Sequence, residues 1–207
     1  MLNSAEKRRF QAAIRQGLYF MGAFVVMGVQ FLLSHVFHEH TFDEFMWVEN
    51  LQAGLLVFSG AMFAWNGVRR PAFRPLCLLL ASVCALAVFR ELDSVMDDAI
   101  PLVSWRVGFL FVAAAGAYAC RHMADCRTSI PPFLDTTAFT MMVFSLVIIV
   151  VIGQLVGHKP FLHNVLIEYD HVGPIKELFE ESVETIGYYC LACASIELLF
   201  DIHHSNS

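Results

Sequence analysis

Residues 136–157, TTAFTMMVFSLVIIVVIGQLVG, form the longest apolar stretch of the sequence without a charged or histidine side chain. The hydrocarbon core of a bilayer is about 30 Å thick, so a helix needs about 20 mostly apolar residues to cross it. A water-soluble helix has a polar face and does not carry so long an uncharged stretch. The segment therefore predicts a transmembrane helix.

The composition of the whole chain agrees with a membrane protein. Of its 207 residues 57% are hydrophobic and only 15% are charged, whereas soluble domains carry about 45–50% apolar and about 25% charged residues. The net charge of −6 and the lack of a long Lys/Arg cluster argue against a nucleic-acid-binding protein. The apolar content likewise excludes a disordered chain and a small disulfide-stapled secreted domain.

Five other segments are apolar enough to cross a bilayer if short polar flanks lie at the interface. We therefore predict an all-α fold, a bundle of six transmembrane helices over residues 17–200. A basic segment over 1–16 precedes the bundle and a tail over 201–207 follows it. The predicted spans are residues 17–37, 51–68, 76–89, 107–120, 136–157 and 181–200.

The distribution of basic residues predicts the orientation of these six spans. With six spans both termini lie on one side, and nine of the 13 Lys and Arg residues fall on that side. The positive-inside rule then places both termini in the cytoplasm of a bacterial inner membrane. The nine residues are Lys7, Arg8, Arg9, Arg15, Arg69, Arg70, Arg74, Arg121 and Arg127.

Polar residues recur at the outer ends of the predicted helices. Ionisable side chains within a membrane are energetically costly and usually have a function. Ionisable side chains inside spans usually face the bundle interior or a water-filled cavity. We therefore expect one polar, mostly acidic site that opens outward. Its members are His35, His38, Glu49, Gln52, Arg90, Glu91, Asp93, Arg106 and Glu184.

These residue types suggest the chemistry of hydrolysis or group transfer on a lipid or other amphiphile. Carboxylates serve as general acids and bases, and we assign that catalytic role to Glu49, Glu91, Asp93 and Glu184. Arginine holds phosphate or carboxylate groups, so Arg90 and Arg106, with Gln52, are the predicted substrate-binding residues. A divalent metal cofactor is a further expectation, because imidazole and carboxylate ligands bind such ions. Its predicted ligands are His35, His38, Glu49 and Glu184.

Two other functions fit the same pattern. Carboxylates at the mouth of a bundle can also collect cations or relay protons, which predicts transport of protons, cations or small solutes. An acidic face could instead dock a larger partner, which predicts a non-catalytic subunit of a membrane complex. Expected partners are the lipid bilayer, an amphipathic substrate, and a protein partner or second copy of the chain; nucleic acid is not expected.

Overall fold

The computed structural model describes residues 3–36, 43–92, 105–153 and 172–201, and the elements in these ranges are all helical. The all-α prediction is thus confirmed for the described part of the chain. The helices are α1 (Ser4–Val36), α2 (Asp43–Arg69), α3 (Arg74–Glu91), α4 (Gly108–Arg121), α5 (Met123–Leu134), α6 (Thr137–Leu146) and α7 (Val172–Asp201). Short 3₁₀ turns, Pro71–Phe73 and Trp105–Val107, precede α3 and α4.

The chain divides into two compact units, Met1–Glu44 and Phe45–Ser207. The first unit contains α1, whose N-terminus is closed by a reciprocal capping box. The Glu6 amide donates to Asn3 Oδ1 and the Asn3 amide donates to Glu6 Oε2, both at 2.8 Å. Such a box satisfies two of the N–H groups that a helix start leaves unpaired. Further along α1, large apolar side chains such as Phe20, Phe24 and Phe31 are exposed.

Four helices are long and apolar enough to cross a membrane: Arg9–Leu32, Trp47–Arg69, Pro71–Glu91 and Phe179–Asp201. They overlap the predicted spans 17–37, 51–68, 76–89 and 181–200. The pair Trp105–Arg121 and Met123–Leu134, which is bent by 100°, makes a fifth candidate if it forms one span. The described residues therefore carry four or five candidate spans.

The bend between α4 and α5 lies at His122, whose backbone (φ −112°, ψ 38°) leaves the helical region. Its ring stacks on Tyr118, with centroids 4.2 Å apart. Pro131 and Pro132 lie inside α5. Each proline removes one i→i−4 hydrogen bond, and the helix ends two residues after Pro132, at Leu134.

The uncharged segment 136–157 is helical through Thr137–Ile152. Residues 154–157 lie outside the described part of the chain. Thr136 caps α6 by accepting a hydrogen bond from the Phe139 amide. The six residues Val147–Ile152 continue α6 as a π-helix. The described stretch is apolar but shorter than the candidate spans.

In the second unit, polar side chains are buried while large apolar side chains are exposed. Phe144 is 66% exposed and Leu110 is 68% exposed, whereas Gln52 and Thr185 are fully buried. Buried polar groups together with broad apolar surface are the informative deviation from a soluble protein. The apolar helices and this distribution indicate a membrane protein.

Helix α7 lies at the centre of this unit and is held by hydrogen bonds to α2 and α6. Asn66 of α2 donates to the Ser195 carbonyl at 3.2 Å, and Ser145 of α6 donates to the Gly187 carbonyl at 2.7 Å. At the end of α7, an Asp201 carboxylate oxygen accepts a hydrogen bond from the Ala138 amide at 2.9 Å. The apolar core beside these contacts includes Leu56, Phe63, Tyr188 and Leu198.

Candidate functional site

Three helices bring a group of polar side chains together: the start of the span in α2, the end of α3 and the first half of α7. Because α2 and α3 are joined by a short turn, they run in opposite directions, and the start of one lies beside the end of the other. We call this group the polar cluster. It comprises Glu49, Gln52, Arg90, Glu91, Glu181, Glu184, Thr185 and Tyr188.

An ion pair between Arg90 and Glu184 joins α3 to α7. The Arg90 Nη2 and Glu184 Oε1 atoms are 3.4 Å apart. The side chain of Arg90 is 56% exposed, while that of Glu184 is 6% exposed. A guanidinium carries five N–H donors in a fixed plane, and among the described residues Arg90 donates to Glu184 alone.

Next to this ion pair, Tyr188 donates a hydrogen bond to Glu91. The distance between the phenol oxygen and Glu91 Oε1 is 2.7 Å. Tyr188 is 2% exposed, so the phenol is held at a fixed place inside the protein. Glu184 and Tyr188 are four residues apart on α7 and therefore lie on one face, which is why the neighbours Arg90 and Glu91 reach both.

Gln52 forms the third connection, between α2 and α7. Its Nε2 lies 2.7 Å from Glu181 Oε2, 3.2 Å from the Glu181 carbonyl and 3.1 Å from Thr185 Oγ1. The Thr185 hydroxyl donates to the Glu181 carbonyl at 2.8 Å. Gln52 is fully buried, and no described residue donates a hydrogen bond to its Oε1 atom. One acceptor of the cluster therefore has no donor in the described chain.

Carboxyl groups outnumber basic groups within the cluster. Glu181 lies within electrostatic range of Glu184, Glu91 and Glu49, and Arg90 is the only basic member of the cluster. Glu184 also lies near α6, because a Cβ atom at Gly153 would stand 3.7 Å from its carboxylate oxygen. The cluster is thus suited to hold a group that supplies hydrogen-bond donors or positive charge, while Arg90 can hold a negative one.

The predicted site residues fall into three groups. The structure brings Glu49, Gln52, Arg90, Glu91 and Glu184 into one region, and the expected burial of Glu184 is confirmed at 5% exposure. Arg106 is exposed, and within the described ranges it has no ion pair. Asp93 and His38 lie outside the described residues, as does the side chain of His35 on α1.

A metal-binding arrangement was expected from the carboxylates and histidines. Among the residues that the structure describes, no three His, Cys, Asp or Glu side chains are grouped closely enough to hold a metal ion. Glu49 and Glu184 therefore do not form a metal site with described neighbours. The described side chains give no support for the predicted metal cofactor.

Three members of the cluster were not predicted as site residues: Glu181, Thr185 and Tyr188. Glu181 and Glu184 are acidic residues on one face of α7, and this spacing could have identified Glu181. Thr185 and Tyr188 are placed in the cluster only by their tertiary contacts with Gln52 and Glu91. Glu197, near the end of α7, is also buried, at 1% exposure.

No protein-family model, curated protein or solved structure matches this chain.

Proposed function

We propose that the chain is a multi-pass protein of a bacterial inner membrane with six spans and both termini in the cytoplasm. Four spans correspond to the four long apolar helices, and the span 107–120 corresponds to α4, the first helix of the bent pair. The sixth is residues 136–157, of which Thr137–Ile152 is described as a helix. The basic residues of the short loops and termini support the orientation through the positive-inside rule, which puts the polar cluster at the outer ends of the helices.

We propose that the polar cluster binds and processes the head group of a lipid or other amphiphile by hydrolysis or group transfer. The observation that carries the proposal is the pairing of two adjacent residues of α3 with α7: Arg90 with Glu184, and Glu91 with Tyr188. This pairing places the half-exposed guanidinium of Arg90 beside the Glu91 carboxylate, which accepts a hydrogen bond from the Tyr188 hydroxyl. An anion-binding group next to a general base is a minimal arrangement for attack on a phosphate or carboxylate ester.

Each side chain then has a definite part in the proposal. Arg90 holds the anionic group of the substrate through its N–H donors. Glu91 accepts the proton of the attacking water or hydroxyl as the oxygen of that group bonds to the phosphorus or carbonyl carbon, and Tyr188 keeps the Glu91 carboxylate oriented. The ester bond then breaks, and the proton passes from Glu91 to the leaving alkoxide. Glu184 keeps Arg90 in place, and the carboxylate of Glu181, fixed by Gln52, receives a donor group of the substrate. The proposal uses side chains alone and assigns no step to a metal.

The amphiphile is proposed as substrate because the cluster lies at the end of apolar helices. The substrate tail would remain in the bilayer beside exposed apolar residues, such as Val57 and Val83 of α2 and α3. Its head group would then reach the depth of Arg90 without leaving the interface. A soluble substrate would gain nothing from this placement.

A second candidate, proton transport, is favoured by one observation, the burial of Glu197 far along α7. Glu184 and Glu197 are thirteen positions apart, about 20 Å at 1.5 Å per residue, and both are buried. Two buried carboxylates near opposite ends of one helix are what a proton route needs. The proposal of a substrate-processing site predicts instead that Glu197 is dispensable for turnover.

The two candidates are separated by one reconstitution experiment. The purified protein is inserted into vesicles of phosphatidylethanolamine and phosphatidylglycerol, and lipid products are measured by mass spectrometry beside proton flux measured with an internal pH dye. If the protein processes lipid, the unaltered protein forms product and Glu91→Gln forms none. Asp125→Asn, the matched isosteric change in α5, is the control and should form product at the unaltered rate. If the unaltered protein conducts protons and forms no lipid product, and Glu197→Gln abolishes the proton flux, lipid processing is overturned and transport is established.

A further inference from the structure

A second, basic cavity lies at the other end of α2, away from the polar cluster. It has a volume of about 250 Å³ and is lined by Asn66, Arg69, Arg70 and Leu199. Asn66 follows Gln52 by fourteen positions on α2, about 21 Å along the helix axis. The cavity is therefore separate from the site proposed above, and nothing in that proposal uses it.

Arg70 gives the cavity its chemical character. It lies between α2 and the 3₁₀ turn, where its amide donates to the Asn66 carbonyl at 3.0 Å. The Nη1 atom of its guanidinium is buried, and no described residue accepts a hydrogen bond from it. Burial lowers the pKa of this guanidinium, yet arginine stays charged in proteins. A bound anion would offset the cost of burying this donor.

Arg69 adds a second guanidinium to the same cavity. Its Cζ atom lies 4.9 Å from the centroid of the Trp65 ring, a distance typical of a cation–π contact. In the described part of the chain the Arg69 N–H groups make no hydrogen bond, so they can bind a ligand. Within the described ranges neither Arg69 nor Arg70 forms an ion pair with a carboxylate.

The other wall residues do not neutralise this charge. The Asn66 side-chain amide donates to the carbonyls of Met62 and Ser195, at 2.9 and 3.2 Å. It thereby fixes α2 against α7 and leaves only its carbonyl oxygen towards other partners. Leu199 contributes apolar surface. The cavity thus presents two adjacent guanidinium groups on a rigid wall.

We propose that this cavity binds the phosphate group of an anionic ligand, held by Arg69 and Arg70. Paired guanidinium groups match phosphate oxygens through parallel N–H donors. The volume is below the range of about 300–1,000 Å³ typical of sites for drug-sized ligands, which suits a single phosphate head better than a whole nucleotide cofactor. Basic pockets between helices at the cytoplasmic side of a membrane bind phospholipid head groups in this way.

The phosphate could belong to a lipid head group or to a free phosphate ion, and the test has one arm for each. In the first arm, native mass spectrometry of the purified protein counts bound phosphatidylglycerol and phosphatidylcholine at equal concentration. In the second arm, inorganic phosphate is titrated against the protein in detergent by calorimetry. Lipid binding with no effect of inorganic phosphate identifies a head-group site, and binding of inorganic phosphate identifies a site for the free ion.

Three variants decide whether the cavity is responsible. We expect Arg69→Gln and Arg70→Gln each to weaken binding by about tenfold or more, since each removes charge-assisted hydrogen bonds. Arg74→Gln is the matched control, because Arg74 makes the same charge change nearby but donates to the Gly67 carbonyl and does not line the cavity. Equal loss in all three variants would show only general electrostatic attraction and overturn the proposal. So would the absence of binding by the unaltered protein in both arms.

A folding defect would not obscure the outcome. Arg70→Lys keeps a positive charge but presents a point charge instead of a planar fork. A well-folded Arg70→Lys protein is expected to bind phosphate more weakly than the unaltered protein and more tightly than Arg70→Gln. If Arg70→Lys and Arg70→Gln bind as well as the unaltered protein, the guanidinium does not hold the ligand and the proposal is wrong.

Discussion

Tyr188 of α7 donates a 2.7 Å hydrogen bond to Glu91 of α3, and Arg90, next to Glu91, meets Glu184 one turn away from Tyr188. Two adjacent residues at the end of one helix thus engage two residues on one face of another. Breaking either contact alone leaves a buried polar group on α7 without its partner. The two contacts therefore hold α3 and α7 in register and place the Glu91 carboxylate beside the half-exposed Arg90 guanidinium.

Gln52 is expected to stabilise the contact between α2 and α7. Gln52→Leu removes hydrogen bonds from Nε2 to Glu181 and Thr185 and leaves a carboxylate without its donor, which costs about 1–3 kcal/mol of unfolding free energy. Denaturant unfolding in detergent measures the loss. Ser59→Ala on the same helix is the control, because the Ser59 hydroxyl donates only to the Leu55 carbonyl within α2. A loss as large in Ser59→Ala would contradict the prediction.

Two glycines of α4 are expected to respond oppositely to alanine. A Cβ atom at Gly108 would lie 2.6 Å from Leu86 Cδ1 and 2.8 Å from Leu86 Cα, so Gly108→Ala pushes α3 away and costs about 1–3 kcal/mol. At Gly116 nothing lies within 4 Å. Gly116→Ala should therefore stabilise the protein by about 0.5–1 kcal/mol through its higher helix propensity. Melting temperatures of the two variants check the sign of each change.

The start of α6 is expected to depend on two caps. Thr136→Ala removes the local cap, and Asp201→Ala removes the carboxylate that α7 supplies to the Ala138 amide. Each substitution should cost about 1 kcal/mol. Thr128→Ala serves as reference, since its exposed hydroxyl bonds only to carbonyls of its own helix. If Thr128→Ala lowers the free energy of unfolding by as much, the two caps do not stabilise the start of α6.

Arg90 is expected to determine the preference for an anionic head group. In the reconstituted protein, Arg90→Gln should raise KM for phosphatidylglycerol by about tenfold, because it removes the group proposed to bind the phosphate. Arg121→Gln, at the exposed end of α4, makes the same charge change away from the cluster. A KM that rises equally in both variants would argue against a specific role for Arg90.

Much of the fold was readable from the sequence because bilayer thickness fixes the length of an apolar helix. The predicted spans 51–68, 76–89 and 181–200 lie within the observed Trp47–Arg69, Pro71–Glu91 and Phe179–Asp201. The bend at His122 was not readable, since it depends on one residue leaving the helical backbone region. The helix over Pro131 and Pro132 was not predictable either, because proline usually ends or kinks a helix.

The candidate site was predictable where a charge interrupts an apolar helix, as at Glu49, Arg90 and Glu184. Tyr188 was not predicted as a site residue, because a tyrosine within an apolar helix cannot be distinguished from a core residue by its sequence position. Its role follows from the tertiary contact with Glu91, which no local spacing encodes. The burial of Glu197 likewise depends on tertiary packing, which its position near the end of an apolar helix does not reveal.

The most direct test of the polar cluster as a processing site is product formation by Tyr188→Phe. The rate of lipid product release from vesicles of phosphatidylethanolamine and phosphatidylglycerol is measured beside the melting temperature of the same preparation. Removing the phenol oxygen leaves Glu91 unoriented, so the rate should fall at least tenfold while the free energy of unfolding changes by about 1 kcal/mol. Product release at the unaltered rate, or its absence from the unaltered protein, would contradict the account.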